Sequence, residues 1–430
     1  MQLAGKNIAV IGFGVTGQSC ARFLLSQQAN VTVFDTRDLI QAKSPVTVIL
    51  GEIPVDALVT FDAIIVSPGV SLTLPAIVRA KDQGIEVIGD IELFARFASC
   101  PIVAITGSNG KSTVVDMLGR IYLEVGMNVG VGGNIGTPAL DLLADEYQLI
   151  VLELSSFQLE TCQSLKPYIA SILNVSEDHL DRHGNLDAYR AAKQRIYQQA
   201  RFCVANALDS DTLPVSSEAD YVIGAASEAG IGINVKDAVI TLDGKPIIAS
   251  SELQVAGLHN LLNAQAALLI SLLTDVSLPQ ACQSIKNYLG LPHRCQKVRT
   301  WRDVLWIDDS KATNVGATIA GITGIKSTIT GDIILLAGGD SKQADLSPLQ
   351  PILQQDVKHL IVFGKDAPLL AELKAPLCTA ESLQQAVEKA AEVAQAGDAV
   401  LLSPACASYD MFDNFSHRGR CFQEAVGALI

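Results

Sequence analysis

Nine short apolar runs recur along the chain, at 7–11, 30–34, 63–66, 101–105, 149–154, 169–173, 332–337, 360–363 and 399–402. Each ends in a glycine-rich or polar turn, and a segment of helical periodicity follows. Strands alternating with helices in this way imply parallel sheets covered on both faces. The runs are nearly continuous in Val, Ile, Leu and Ala, as strands buried on both sides require. No repeat at a fixed short period interrupts the rhythm.

Length and punctuation divide the chain. Its 430 residues suit roughly three domains. A helical stretch, IELFARFAS, ends at Cys100-Pro101 where a new strand begins, and Gly290-Leu291-Pro292 reads as a hinge. The expected units are 1–92, 93–290 and 291–430. The segment 205–256 is less regular. Its short pieces YVIG, AVITL and KPIIAS read as an antiparallel excursion within the middle unit.

Composition excludes several classes. Apolar residues make up 49%, enough for compact cores. With 31 Lys and Arg against 45 Asp and Glu, the net charge of −14 argues against a general nucleic-acid coat. It leaves room for a local basic pocket. Nine cysteines stand singly with no CxxC pair, so reduced thiols are expected rather than a zinc site or a disulfide framework. The N-terminus lacks the pattern of an export signal. The charge-free run 253–274 carries Gln254, His259, Asn260, Asn263 and Gln265, which suits a buried helix rather than a membrane span. A cytoplasmic monomer without membrane insertion is the expectation.

Several loops carry chemistry. Gly12-Phe13-Gly14-Val15-Thr16-Gly17 follows a strand and opens a helix, and Asp35 ends the next strand. Such glycines let the backbone approach a diphosphate at a helix N-terminus. Alone, this motif suggests a dehydrogenase, or a turn with no ligand. Ser67-Pro68-Gly69 would line the same sheet edge. Thr106-Gly107-Ser108-Asn109-Gly110-Lys111-Ser112-Thr113 lies between the strand PIVAI and a helix. That is the setting of a phosphate loop: backbone N–H groups cradle phosphates, Lys111 reaches the terminal ones and Ser112 can hold Mg²⁺. The usual first glycine is absent, since Ile105 stands there.

Glu153 ends the run LIVLE, where a Mg²⁺ ligand or a helix-terminal carboxylate would sit. The loop 174–184, NVSEDHLDRHG, holds two His and three carboxylates. Mg²⁺ suits its oxygen donors better than zinc, and a solvated charged loop is the plain alternative. By itself, Lys193 on the next helix reads as a surface lysine. In the last unit, DDSKATN, GGDSK and SYDMFDNF each follow an apolar strand. Together they bring Lys311, Thr313, Lys342 and Ser408 to one sheet edge, as donors for carboxylate and phosphate. These parts suit an ATP-driven condensation better than a dehydrogenase. A non-catalytic nucleotide-binding regulator would keep the glycine loops but lack Glu153, His179 and Lys193.

The set GSNGKST, LELSSFQLE, NVSEDHLDRHG, YRAAKQRIY, GLHNLLNAQAA, GLPHR, DDSKATN and SPACASYDMFDNFSHRG resembles the Mur ligase family of cell-wall peptide synthesis. The likeness runs from residue 8 to 422 in order, and in that family the missing first glycine is normal. The resemblance implies an α/β fold of three domains. The N-terminal one is Rossmann-like, the central one is of phosphate-loop type with a mostly parallel sheet, and the C-terminal one is again Rossmann-like. It implies ATP-dependent addition of D-glutamate to UDP-N-acetylmuramoyl-L-alanine through an acyl phosphate. It also implies two Mg²⁺ ions. By resemblance, Gly107, Ser108, Asn109, Gly110, Lys111, Ser112, Thr113, Asn263, Arg294 and Asp309 bind ATP. Ser112, Glu153, His179 and Lys193, the last as a carbamate, hold the metal. Lys111, Glu153, His179 and Lys193 form the catalytic set. Val15, Thr16, Asp35, Thr36, Arg37, Gly69 and Asn134 bind the UDP substrate, which displaces the nicotinamide reading. Lys311, Thr313, Lys342, Ser408 and Phe415 position D-glutamate.

Overall fold

The computed structural model describes residues 2–37, 46–215, 218–226, 230–234, 238–255, 258–326, 328–375 and 378–429. Contacts gather the chain into two compact units. One comprises 1–107, 118–173 and 190–222; the other comprises 108–117, 174–189 and 223–430.

The first unit holds two sheets. In the N-terminal sheet the order is Thr47–Leu50, Asn30–Asp35, Asn7–Ile11, Ala63–Val66, Glu86–Gly89. All its pairings are parallel, with Ile8 opposite both Val31 and Ala63. Asn7–Ile11 comes first in sequence yet lies in the middle. Successive connections therefore leave it in opposite directions, and a crevice opens at the carboxyl ends of the strands. One face packs Ile11, Ile64 and Val66 against Ala76, Ile77 and Ala80 of the helix Pro75–Asp82.

In the second sheet the order is Tyr221–Ile223, Phe202–Asn206, Ile169–Ile172, Ile102–Thr106, Leu149–Glu153, Val129–Gly133. Ile102–Thr106 lies parallel between Leu149–Glu153 and Ile169–Ile172, so its carboxyl end also faces a switch point. The two sheets are joined by buried polar bonds. Glu92 accepts from the Gln163 and Ser164 N–H groups at 2.7 and 2.8 Å, and Gln158 donates to Asp90 at 2.9 Å.

The second unit holds a small antiparallel sheet of Ile231–Asn234, Val239–Leu242 and Lys245–Ala249. The expected excursion therefore exists but begins later. Tyr221–Ile223 extends the large sheet beside Phe202–Asn206 instead. The helix Leu258–Leu273 is buried along most of its length, with Asn260, Asn263 and Gln265 inside. Gly257, the first residue of the GLHNLLNAQAA segment, lies outside the described residues. Among the described residues no helix is long and apolar enough to cross a membrane.

The last sheet has the order Gln296–Trp301, Val304–Asp308, Ala399–Leu402, Ile333–Gly338, Val357–Phe363, Cys378–Ala380. Its pairings are parallel except for the first, a hairpin. That edge strand, QKVRTW, mixes charged, polar and apolar residues and is nowhere fully buried. It therefore lacks the continuous apolar signature of its neighbours.

Candidate nucleotide and amino-acid sites

In the first unit, the N-terminal crevice is a cavity of about 560 Å³. Small-molecule sites typically run from about 300 to 1,000 Å³. All seven residues expected at the UDP substrate line it: Val15, Thr16, Asp35, Thr36, Arg37, Gly69 and Asn134. The glycine loop is built for close approach. A Cβ on Gly17 would collide with the Gly12 carbonyl, and the Ser67 hydroxyl donates to that same oxygen at 2.9 Å.

Asp35 organises the rim. It accepts from the Phe13 N–H at 2.7 Å and from the Arg37 guanidinium at 2.8 and 2.7 Å. The Arg37 hydrogen bond is the main cause that lowers its pKa from 3.8 to about 2. A depressed carboxylate contributes stability that is complete above the unfolded pKa and is lost as pH falls through the folded one. The deficit of an Asp35→Asn variant relative to wild type should therefore be constant above about pH 5 and shrink between about pH 4 and 2. Thermal unfolding of both proteins across that range checks this.

Gln158 also lines the cavity, a role the sequence reading did not assign. Its carbonyl accepts from the Ser155 N–H at 3.0 Å, and Ser155 Oγ accepts from the Gln158 N–H at 3.3 Å. This is a capping box, legible as S-x-x-Q at a helix start.

Glu153 and Lys193 are both deep in this unit. One Glu153 carboxylate oxygen accepts from the Asn134 amide at 2.8 Å. The other is buried without a hydrogen-bond partner. Lys193 is 1% exposed, and its amine donates to the Gly107 carbonyl at 2.9 Å. The surface reading of Lys193 is thus corrected. Helix Leu186–Gln194 turns this residue inward, beside the carbonyl that opens the phosphate loop.

The second unit carries the rest of that loop. The Asn109 N–H donates to the Asn174 side chain at 2.8 Å, and the Asn174 amide donates to the Asn109 carbonyl at 3.0 Å. Ser108 Oγ donates to the Ser176 carbonyl at 2.9 Å. Lys111 folds back on the Ser108 carbonyl at 2.9 Å. Gly110 has φ +82°, and a Cβ there would strike the Asn263 side chain, so Asn263 packs on the loop. Arg294 donates to the Ser112 hydroxyl at 2.8 Å. His179 starts a short helix with φ 56°, and burial lowers its pKa to about 4. Its imidazole is therefore neutral at pH 7, the form that binds metals. Asp309 faces inward. It accepts from the Cys295 N–H at 3.1 Å and Ser403 Oγ at 2.8 Å, and burial raises its pKa to about 7.

Three polar loops meet at one sheet edge of this unit. Lys311 Nζ lies 4.2 Å from the centroid of the Phe415 ring. The Thr313 N–H donates to the Lys311 carbonyl at 2.8 Å, and buried Ser408 accepts from the Phe412 N–H at 2.8 Å. Lys342 instead pairs with Asp178 at 3.4 Å.

Arg418, which the sequence reading missed, ties these loops together. It is fully buried and donates to Ser310 Oγ at 3.0 Å and to the carbonyls of Gly338, Cys406 and Ser310 at 3.3, 3.1 and 2.8 Å. Arg418→Met would leave several buried acceptors unpaired. It should destabilise the fold by about 3 kcal/mol, read as a lower denaturant midpoint at unchanged m-value.

Among the described residues, no three His, Cys, Asp or Glu side chains gather as a self-sufficient metal cage. That is compatible with Mg²⁺, which commonly takes only one or two carboxylates and completes its shell with water and substrate phosphates.

Parallel sheets with two phosphate-type loops at switch points define a nucleotide-handling α/β protein. The comparisons narrow this class. The Mur ligase MurD-like N-terminal domain matches residues 6–89, the Mur ligase middle domain 105–271, and the Mur ligase glutamate ligase domain 293–406. A UDP-N-acetylmuramoylalanine–D-glutamate ligase of Pseudomonas putida is 44% identical over 98% of this chain and 97% of its own. Its namesake in Escherichia coli K12 is 44% identical over 99% of both chains. Among solved structures, the UDP-N-acetylmuramate-alanine ligase of Thermotoga maritima shares the fold. It is 18% identical, with a TM-score of 0.62 over 98% of this chain and 99% of that one. The chain belongs to the Mur ligase family.

Proposed function

We infer that this enzyme adds D-glutamate to UDP-N-acetylmuramoyl-L-alanine, consuming ATP and releasing ADP and phosphate in peptidoglycan precursor synthesis. The near-full-length identity of 44% to ligases of that name carries the reading. The phosphate loop and the three amino-acid loops support it.

Chemistry dictates the order of events. A carboxylate is a poor electrophile, so it must be activated before an amine can attack. The L-alanyl carboxylate oxygen attacks the γ-phosphorus of ATP, and ADP leaves. The amine of D-glutamate then attacks the acyl carbon, loses a proton, and phosphate departs. Catalysis of the first step is mostly positioning and charge neutralisation. We propose that residues 107–113 hold the ATP phosphates, with Lys111 on the terminal ones, and that Asn263, Arg294 and Asp309 hold the rest of the nucleotide. Val15, Thr16, Asp35, Thr36, Arg37, Gly69 and Asn134 take the UDP substrate. Lys311, Thr313, Lys342, Ser408 and Phe415 take D-glutamate.

The residues also fit Mg²⁺. The unpartnered, buried oxygen of Glu153 is a hard donor already oriented by Asn134. Ser112, Glu153, His179 and Lys193, the last carrying CO₂ as a carbamate, would hold it, in two ions. When bound, Mg²⁺ relieves repulsion between the attacking carboxylate and the γ-phosphate. We propose domains at 1–92 for the UDP substrate, 93–290 for ATP and 291–430 for the amino acid, working as a cytoplasmic monomer.

Substrate exchange tests the reading. The enzyme is incubated with MgATP, UDP-N-acetylmuramoyl-L-alanine and one amino acid at a time, and products are read by mass spectrometry. A product with D-glutamate, and none with L-glutamate or a diamino acid, is expected. A diamino-acid product alone would reassign the chain to a sibling reaction.

A further inference from the structure

Between the phosphate loop and the amino-acid loops, within the second unit, lies a chain of amides. Asn109 and Asn314 face each other as a reciprocal pair. Asn314 Nδ2 donates to Asn109 Oδ1 at 3.2 Å, and Asn109 Nδ2 donates back to Asn314 Oδ1 at 3.4 Å. On the phosphate side, Asn109 has its backbone N–H and carbonyl clamped by the Asn174 amide. On the other side, Asn314 Nδ2 also donates to Asp178 Oδ2 at 3.4 Å. Asp178 Oδ1 in turn pairs with Lys342 at 3.4 Å. Asn314 is 6% exposed, and its Oδ1 also caps the helix Val315–Lys326 by accepting the Ala317 N–H at 2.9 Å. One side chain therefore reports on the phosphate loop, a helix start and the carboxylate that holds Lys342.

We propose that Asn314 is a positioning residue that couples occupancy of the ATP phosphate loop to the readiness of Lys342 for the amino-acid substrate. The proposal rests on the function inferred above. Phosphates drawing on the loop fix Asn109, which fixes the amide plane of Asn314. That plane decides how firmly Asp178 is held away from, or left to, Lys342. Because coupling between binding sites is reciprocal, the amino acid must tighten nucleotide binding by the same factor. Lys342 enters this chain only through Asp178, so Asn314 need touch neither substrate.

Asn314→Asp separates this role from a structural one. Asp keeps the shape and is an equally good helix cap. It replaces the two donated hydrogen bonds with acceptor against acceptor, facing Asn109 Oδ1 and the Asp178 carboxylate. Asn314→Ser keeps a cap but is too short to span the pair, and adds no charge.

Isothermal titration of D-glutamate into the enzyme loaded with UDP-N-acetylmuramoyl-L-alanine, with and without a non-hydrolysable ATP analogue and Mg²⁺, gives the coupling factor. Couplings of this kind are typically about 5- to 150-fold. Wild type should show such a factor, and both variants should bring it to within about twofold of unity, with melting temperatures near wild type. The converse titration of nucleotide must show the same loss. Wild-type coupling retained in folded Asn314→Asp and Asn314→Ser overturns the proposal. If one variant fails to fold, the other decides. Wild-type enzyme that makes no D-glutamate product would instead sink the functional reading, so the two failures are distinct.

Discussion

Lys111→Ala should lower ligation by about a thousandfold or more while leaving affinity for the UDP substrate close to wild type. The amine of Lys111 rests on the Ser108 carbonyl, 2.9 Å away, at the start of the phosphate loop. There a point charge can meet the terminal phosphates and neutralise charge as the phosphoryl group transfers. Losing a preorganised charge of this kind typically costs about 10²–10³ in rate. For a phosphate-loop lysine, the loss adds to weaker nucleotide binding. The residues lining the N-terminal cavity, proposed above for the UDP substrate, are a separate set, and Lys111 is not among them. Turnover by phosphate release, and substrate affinity by calorimetry, read the two effects separately. Near-normal turnover in the variant would remove the phosphate loop from the mechanism.

The second large effect is expected at Lys193. A buried ammonium is costly to desolvate, yet this side chain is 1% exposed with its amine at the Gly107 carbonyl. Once deprotonated, the amine would add CO₂ through its lone pair and release a second proton, giving an anionic carbamate, an oxygen ligand suited to Mg²⁺. Lys193→Ala should lose about 10²–10³ in rate and recover part of it when formate or acetate is added. Lys193→Met fills the space without a ligand and should stay inactive without rescue. Activity of either variant at the wild-type rate contradicts the assignment. Equal loss with no rescue of the alanine variant reduces Lys193 to a structural lysine.

Much of the architecture was legible because parallel strands buried on both faces carry an unbroken apolar signature. Asn7–Ile11, Ala63–Val66 and Ala399–Leu402 coincide with their apolar runs. Gln296–Trp301 escaped because QKVRTW, an edge strand nowhere fully buried, mixes charged and polar residues among its apolar ones. Tyr221–Ile223 was legible as a β piece but was placed in the antiparallel excursion, because only its pairing with Phe202–Asn206 assigns it to the large sheet.

At the site, loops were readable where local chemistry demands a residue type, as with the glycines of the N-terminal crevice and Gly110 under Asn263. Long-range partners were not. Nothing local shows that Lys193 turns inward, or that Asp35 spends both oxygens on Phe13 and Arg37. Likewise, nothing local shows that Arg418 donates to carbonyls 80 and 12 residues away. Such facts belong to tertiary packing, which periodicity does not encode.

The most direct measurement is phosphate release from MgATP with UDP-N-acetylmuramoyl-L-alanine, with and without D-glutamate, and with L-glutamate as the control. The account requires release that depends on both the nucleotide substrate and the D-isomer. Folded enzyme that releases phosphate equally without D-glutamate, or only with another amino acid, would contradict it.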